Sequence, residues 1–187
     1  KGGKMMNKKN TFTDYISCTE HLIKEGYTSK GLVVAQGGSA GGLLMGVIAN
    51  TKPELYKAII LQVPFVDIIN TMRDPNLPLT TQEYSEWGNP NIQEEFEYMF
   101  SYSPYDNIKK QDYPHMLFTT GISDEQVGYW EPAKMVAKLR DYKTDNNKLL
   151  LQINMNAGHS GSSGRYGYHK ESAFKNAFIL SLFDIWE

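Results

Sequence analysis

The sequence predicts an α/β fold, a mostly parallel sheet with helices on both faces. Apolar runs of strand length recur at residues 32–36 (LVVAQ), 58–63 (AIILQV), 116–120 (MLFTT) and 149–154 (LLLQIN), and near-continuous apolarity marks strands covered on both faces. Segments with helical spacing alternate with them, as parallel strands require. The composition is globular: 187 residues, 41% hydrophobic, 21% charged and 12% aromatic. That is enough for one domain with a sizeable core, and too aromatic for a disordered chain.

Residues 1–10 (KGGKMMNKKN) read as a basic loop. Residues 11–26 carry Phe12, Tyr15, Ile16, Leu22 and Ile23 near helical spacing, with Gly26 placed to end the helix. The strand at 32–36 leads into a glycine-rich tight turn, 37–42, and a helix over 43–50 that closes before Pro53. After the strand at 58–63, residues 68–88 form a long irregular stretch with several prolines. A helix is expected over 92–101, the third strand at 116–120, and an amphipathic helix over 132–142 with Pro132 where a missing N–H does no harm. The fourth strand, 149–154, precedes a closing apolar helix over 172–186. No repeat, low-complexity tract or linker divides residues 1–187.

Nineteen basic side chains nearly balance 21 acidic ones, for a net charge of -2, so neither nucleic acid nor a membrane surface is an expected partner. Cys18 is the single cysteine, which excludes an intrachain disulfide and a cysteine-based zinc site; it is expected as a small buried helix residue. There is no Asn-x-Ser/Thr acceptor, and no apolar run approaches the ~18 residues of a membrane span. A soluble, cytoplasmic protein is expected.

The chemistry centres on Gly37-Gly38-Ser39-Ala40-Gly41, a G-x-S-x-G elbow between a strand and a helix. Side chains flanking a serine on so strained a turn would collide with the neighbouring strand and helix, and glycine removes those collisions. The helix after Ser39 aims its N–H groups and positive dipole end at a developing oxyanion, with the Ala40 N–H as donor. The partners follow in the order serine, acid, histidine, each just beyond a strand end. Asp124 comes after the third strand and His159 after the fourth. Histidine takes the serine proton as base, and the carboxylate fixes its tautomer. His21 lies within a helix, and His115 precedes its strand at the opposite sheet edge; His169 is a loop alternative. Asp141 and Asp145 lie at a helix end. Serine, acid and histidine suffice for acyl transfer, so no metal or organic cofactor is implied.

The stretches GGSAGG, EYSEWGNP, SYSPYDN, YWEPAKMVAKLR and AGHSGSSGR closely resemble the oligopeptidase B (protease II) group of the prolyl oligopeptidase family of serine peptidases. The resemblance runs from about Thr11 to the end, and it matches Ser39, Asp124 and His159 to the family triad. It implies an α/β-hydrolase domain, capped in the family by a β-propeller, and hydrolysis of short peptides after Arg or Lys through an acyl-enzyme. Basic specificity is attributed there to two acids in the segment before WGNP. Glu83 matches the first; the second position is Ser85, a departure, with Glu86 beside it. A guanidinium in a pocket needs a carboxylate, because an unpaired buried charge costs several kcal/mol. Read without the resemblance, Glu83 is a solvated loop charge.

A nucleophile at position 39 leaves no room for the strands that normally precede the elbow. The chain is therefore expected to be the C-terminal portion of a longer enzyme, lacking the propeller, the first strands and the upstream tyrosine that supplies the family's second oxyanion donor. The elbow strand would then be a sheet edge, prone to strand exchange or homo-oligomer formation. Two rival readings are an esterase or acyl hydrolase on the same fold, and a fragment that associates without catalysing anything.

Overall fold

The computed structural model describes residues 2–185. Four strands, β1 (Val33–Gly38), β2 (Tyr56–Gln62), β3 (His115–Gly121) and β4 (Leu149–Asn154), form one parallel sheet in the order β1-β2-β3-β4. Parallel neighbours need crossovers, and helices supply them. Helix α1 (Lys9–Lys24) precedes the sheet and α2 (Ala40–Thr51) joins β1 to β2. Helices α3 (Ile68–Arg73), α4 (Tyr84–Trp87) and α5 (Gln93–Phe100) lie between β2 and β3. Helix α6 (Trp130–Tyr142) joins β3 to β4, and α7 (Arg165–Leu180) follows.

Strand side chains alternate between faces. Ile59, Leu61, Met116 and Phe118 pack with Met45 and Ile48 of α2 and Met135 and Leu139 of α6. Ala58, Ile60 and Leu117 meet Phe178 and Leu182 on the opposite face. Helices thus cover both faces, as the apolar runs predict. Each fully buried side chain of this kind contributes about 1.5–3 kcal/mol. A third cluster around Phe65, Met72, Trp87 and Met99 fixes the excursion between β2 and β3 against Leu43 and Val47 of α2.

Several local expectations are corrected. The elbow is sharper than a six-residue turn: β1 reaches Gly38 and α2 starts at Ala40. The stretch 68–88 contains the two short helices α3 and α4. The closing helix begins at Arg165, just after Gly164 at φ 87°, and ends at Leu180; the expected residue Trp186 lies outside the described residues. Cys18 is exposed, because α1 turns Phe12, Tyr15, Ile16, Thr19 and Ile23 inward and Cys18 falls between them on the outer face. The N-terminal segment is not a free loop. Lys8 is buried, its ammonium 2.8 Å from Glu86 and 4.1 Å from the centre of the Trp87 ring.

Strand β1 is a sheet edge, with β2 as its sole neighbour among the described residues. Its Val33 and Val34 stay half-buried, whereas β2 buries Ala58 through Leu61 completely. Among the described residues no helix is long and apolar enough to cross a membrane.

Candidate active site

Ser39 makes the turn between β1 and α2 alone, at φ 53° and ψ −120°. Such a conformation costs a non-glycine residue on the order of 1–3 kcal/mol and persists only when its surroundings enforce it. Here the Ser39 N–H donates to the Gln62 carbonyl at 2.9 Å, and its own carbonyl accepts from Gly42 at 2.8 Å and Phe65 at 3.1 Å. Gly37 is required because a Cβ there would strike the Gly41 carbonyl, whereas a Cβ at Gly41 would meet open space. The first N–H groups of a helix have no intrahelical acceptor. Ala40, the first residue of α2, therefore keeps its N–H available beside the nucleophile.

Asp124 follows β3, its side chain fully buried, and its Oδ1 accepts from the N–H groups of Gln126 and Val127 at 2.9 Å each. His159 follows β4 and places Nδ1 2.9 Å from Oδ2 and 3.0 Å from Oδ1 of that carboxylate. A carboxylate only accepts, so Nδ1 carries the proton and Nε2 keeps its lone pair. Among the described residues neither Nε2 nor the Ser39 hydroxyl has a hydrogen-bond partner, a looseness common before substrate binds. The acid and histidine loops are tied to each other: the Ser123 N–H donates to the Ala157 carbonyl at 3.1 Å, and the bare Cα of Gly121 admits that carbonyl. Glu171 of α7 holds the histidine loop from the other side. Its Oε1 accepts from the Ser162 N–H at 2.9 Å, the Ser162 hydroxyl at 2.7 Å and Asn154 Nδ2 at 3.0 Å. Nothing in the sequence marks this glutamate, which sits in a mixed polar helix.

The competing groups are elsewhere. His115 starts β3 at the opposite sheet edge, where its Nδ1 accepts from the Lys148 N–H at 2.8 Å and burial pushes its pKa down. His21 is exposed on α1, and His169 lies on α7. Asp145 is engaged with Lys143 and the Tyr113 N–H beyond the end of α6, and Asp141 is exposed in the last turn of that helix.

Ser39 and Ala40 open on a narrow cavity with Phe65, Thr71, Leu79 and Glu83, free for about 40 Å³, room for the end of one slender side chain. Glu83 thus shares a cavity with the nucleophile, positioned by the Trp87 Nε1–H that its Oε2 accepts at 2.6 Å. Glu86 does not line this cavity; its carboxylate faces Lys8. Ser85 is exposed on α4. A larger cavity of about 280 Å³ lies along His159, Gly38 and the α7 side chains Tyr168, Glu171 and Lys175. Among the described residues no cluster of three or more His, Cys, Asp or Glu side chains could hold a metal ion.

Beneath the small cavity lies Glu131, fully buried at the start of α6. Its Oε2 accepts from the N–H groups of Val66 and Asp67 at 2.8 Å each, and its Oε1 from the Thr71 hydroxyl at 2.6 Å. Burial pushes its pKa up from 4.5 to about 7, against the pull of those three donors. A carboxyl raised in the fold holds a proton that the unfolded chain releases. The stability it contributes is complete below about pH 4.5 and fades as pH rises through about 7. In Glu131→Gln that fading is expected to vanish, so the Tm of wild type relative to the variant should drop between pH 4.5 and 8. A constant difference in thermal melts across that range would contradict the assignment.

A parallel sheet that carries an elbow serine on one strand, then an acid loop and a histidine loop on later ones, is the layout of the α/β-hydrolases. Residues 1–185 match the Prolyl oligopeptidase family, and the chain belongs to that family. It is 58% identical over 178 residues to Protease 2 of Moraxella lacunata, covering 95% of this chain and 26% of that protein. It is 54% identical to Dipeptidyl aminopeptidase BI of Pseudoxanthomonas mexicana, again over 95% of this chain and 25% of the relative. Among solved structures, oligopeptidase B from Trypanosoma brucei with covalently bound antipain superposes with a TM-score of 0.96 at 48% identity, covering 100% of this chain and 26% of that one. Oligopeptidase B from Leishmania major gives 0.95 at 47% identity, over 97% of this chain and 25% of that one. The chain thus spans about a quarter of the length of the curated relatives it matches.

Proposed function

We propose that residues 1–187 are the C-terminal portion of the catalytic domain of a serine oligopeptidase that cleaves short peptides after Arg or Lys. His159 Nε2 takes the Ser39 hydroxyl proton as Oγ attacks the scissile carbonyl carbon, and Asp124 stabilises the imidazolium that forms. The Ala40 N–H donates to the resulting oxyanion. As the intermediate collapses, the C–N bond breaks and the proton passes from His159 to the leaving amine. Water, deprotonated by His159 in turn, then attacks the acyl-enzyme and frees Ser39.

The observation that carries the basic specificity is the Glu83 carboxylate in the cavity that Ser39 opens on. Its second oxygen is engaged by Trp87, so the side chain is aimed rather than free. The relatives carry different activity names, which makes a direct test necessary. In Glu83→Gln, kcat/KM for Arg- and Lys-directed substrates should fall on the order of 10²-fold, the cost of a cation left without its partner. Neutral substrates should lose little. Equal losses for both would remove the specificity role, and turnover of short acyl esters alone would favour an esterase.

The exposed edge of β1 belongs to the same proposal. Its unpaired backbone groups favour self-association or strand exchange. Light scattering is expected to give a mass above that of one 21.2 kDa chain that falls on dilution. A monodisperse monomer at all concentrations would count against it.

A further inference from the structure

Glu131 takes no part in acyl transfer, yet it is engaged at both oxygens. Oε2 is filled by two backbone N–H donors, and the partner of Oε1 is the Thr71 hydroxyl. Thr71 lines the cavity shared by Ser39 and Glu83. Above about pH 7 Glu131 is ionised and only accepts, so the Thr71 proton is then committed to it and the hydroxyl oxygen keeps only lone pairs to offer a ligand. Thr80, in the same wall, is committed in the same sense: its hydroxyl donates to the Thr71 carbonyl at 2.9 Å. Both threonine hydroxyls of this cavity are therefore left with acceptor capacity beside Glu83, an arrangement suited to a donor-rich cationic ligand.

We infer that Thr71 is a specificity-determining residue, its hydroxyl oriented by the positioning residue Glu131, and that it accepts with Glu83 from the nitrogen donors of a basic side chain. The inference rests on the reading of this cavity as the basic subsite. It supplies a physical answer to the departure at Ser85, which is exposed and lines no part of the cavity. A guanidinium or ammonium carries several N–H groups, more than one carboxylate oxygen can satisfy, and the polarised hydroxyl takes one of the remainder.

The test is equilibrium binding of the fluorescent cation p-aminobenzamidine to the full chain at pH 8.5, with neutral p-aminobenzamide as the control of matching shape. Thr71→Val keeps the volume and removes the acceptor. Glu131→Gln keeps the shape but must place its NH₂ at the Oε1 position, since Oε2 faces two donors; the Thr71 proton then turns away from it. Each variant is expected to bind the amidine roughly tenfold more weakly, the scale of a hydrogen bond to a charged group, with binding of the neutral amide unchanged. Thr71→Ser should restore the wild-type affinity, which loss of packing alone would not allow. Wild-type affinity in Thr71→Val, together with weakened binding in Glu83→Gln, overturns the inference and leaves the basic subsite standing. A wild type that binds amidine no better than amide overturns both. Should Glu131→Gln fail to fold, the Thr71 pair alone decides.

Discussion

Ser39→Ala is expected to abolish covalent labelling by a fluorophosphonate and to lower peptide turnover about 10⁶-fold. The size follows from what the serine does: without Oγ there is no acyl-enzyme, and only electrostatic and binding contributions remain. Intact-mass measurement of wild type beside the variant makes the test, with one adduct in the first and none in the second. An adduct on the alanine variant would assign the reactive nucleophile to another residue. A folded wild type that takes no label would mean that residues 1–187 alone do not assemble the site. The labelling reagent needs no specificity cavity, so this result is independent of what Glu83 does.

Asp124→Asn should cost about 10⁴-fold in kcat with little change in KM. The carboxylate has two tasks: it accepts from two backbone N–H groups, and it holds the imidazole. Its Oδ1 accepts from the Gln126 and Val127 N–H groups, and an asparagine carbonyl can continue to do so. The Oδ2 position, 2.9 Å from His159 Nδ1, then carries an NH₂, which favours the imidazole proton on Nε2. The base is held in place in the wrong tautomer. Thermal melts should therefore change much less than the rate, and a variant retaining more than about a tenth of wild-type kcat would show that Asp124 does not set the histidine tautomer.

The parts of the fold and site legible in the sequence are those written locally. An apolar run ending in Gly-x-Ser-x-Gly, followed by a helical pattern, places Ser39, because the elbow's steric demands fall on its immediate neighbours. Asp124 and His159 were legible for a similar reason: each follows an apolar run by a few residues, and a parallel sheet sends both loops to one edge. Helices α3 and α4 were not, since Pro75 and Pro78 lie between them and each helix is too short to show a period. The start of α7 was hidden by a first turn, Arg165 to Tyr168, that buries nothing. Glu131 is not legible because its role is written in residues 60 or more positions away. Between Trp130 and Pro132 it reads as an ordinary acidic residue in a first helical turn. Lys8 likewise reads as loop charge in the sequence, and only the folded chain brings Glu86 and Trp87 to it.

The order β1-β2-β3-β4 means that every strand pairs with its neighbour in sequence. Such a sheet can be laid down in the direction of synthesis, each new strand adding to an edge already formed. Ser39, Asp124 and His159 then arrive in sequence too: the serine after β1, the acid after β3 and the histidine after β4. A ribosome that has released the chain through Asp124 but not through β4 holds a nascent chain with Ser39 and a carboxylate but no His159 to join them. Ser39 then has no imidazole to call on until the loop after β4 has emerged.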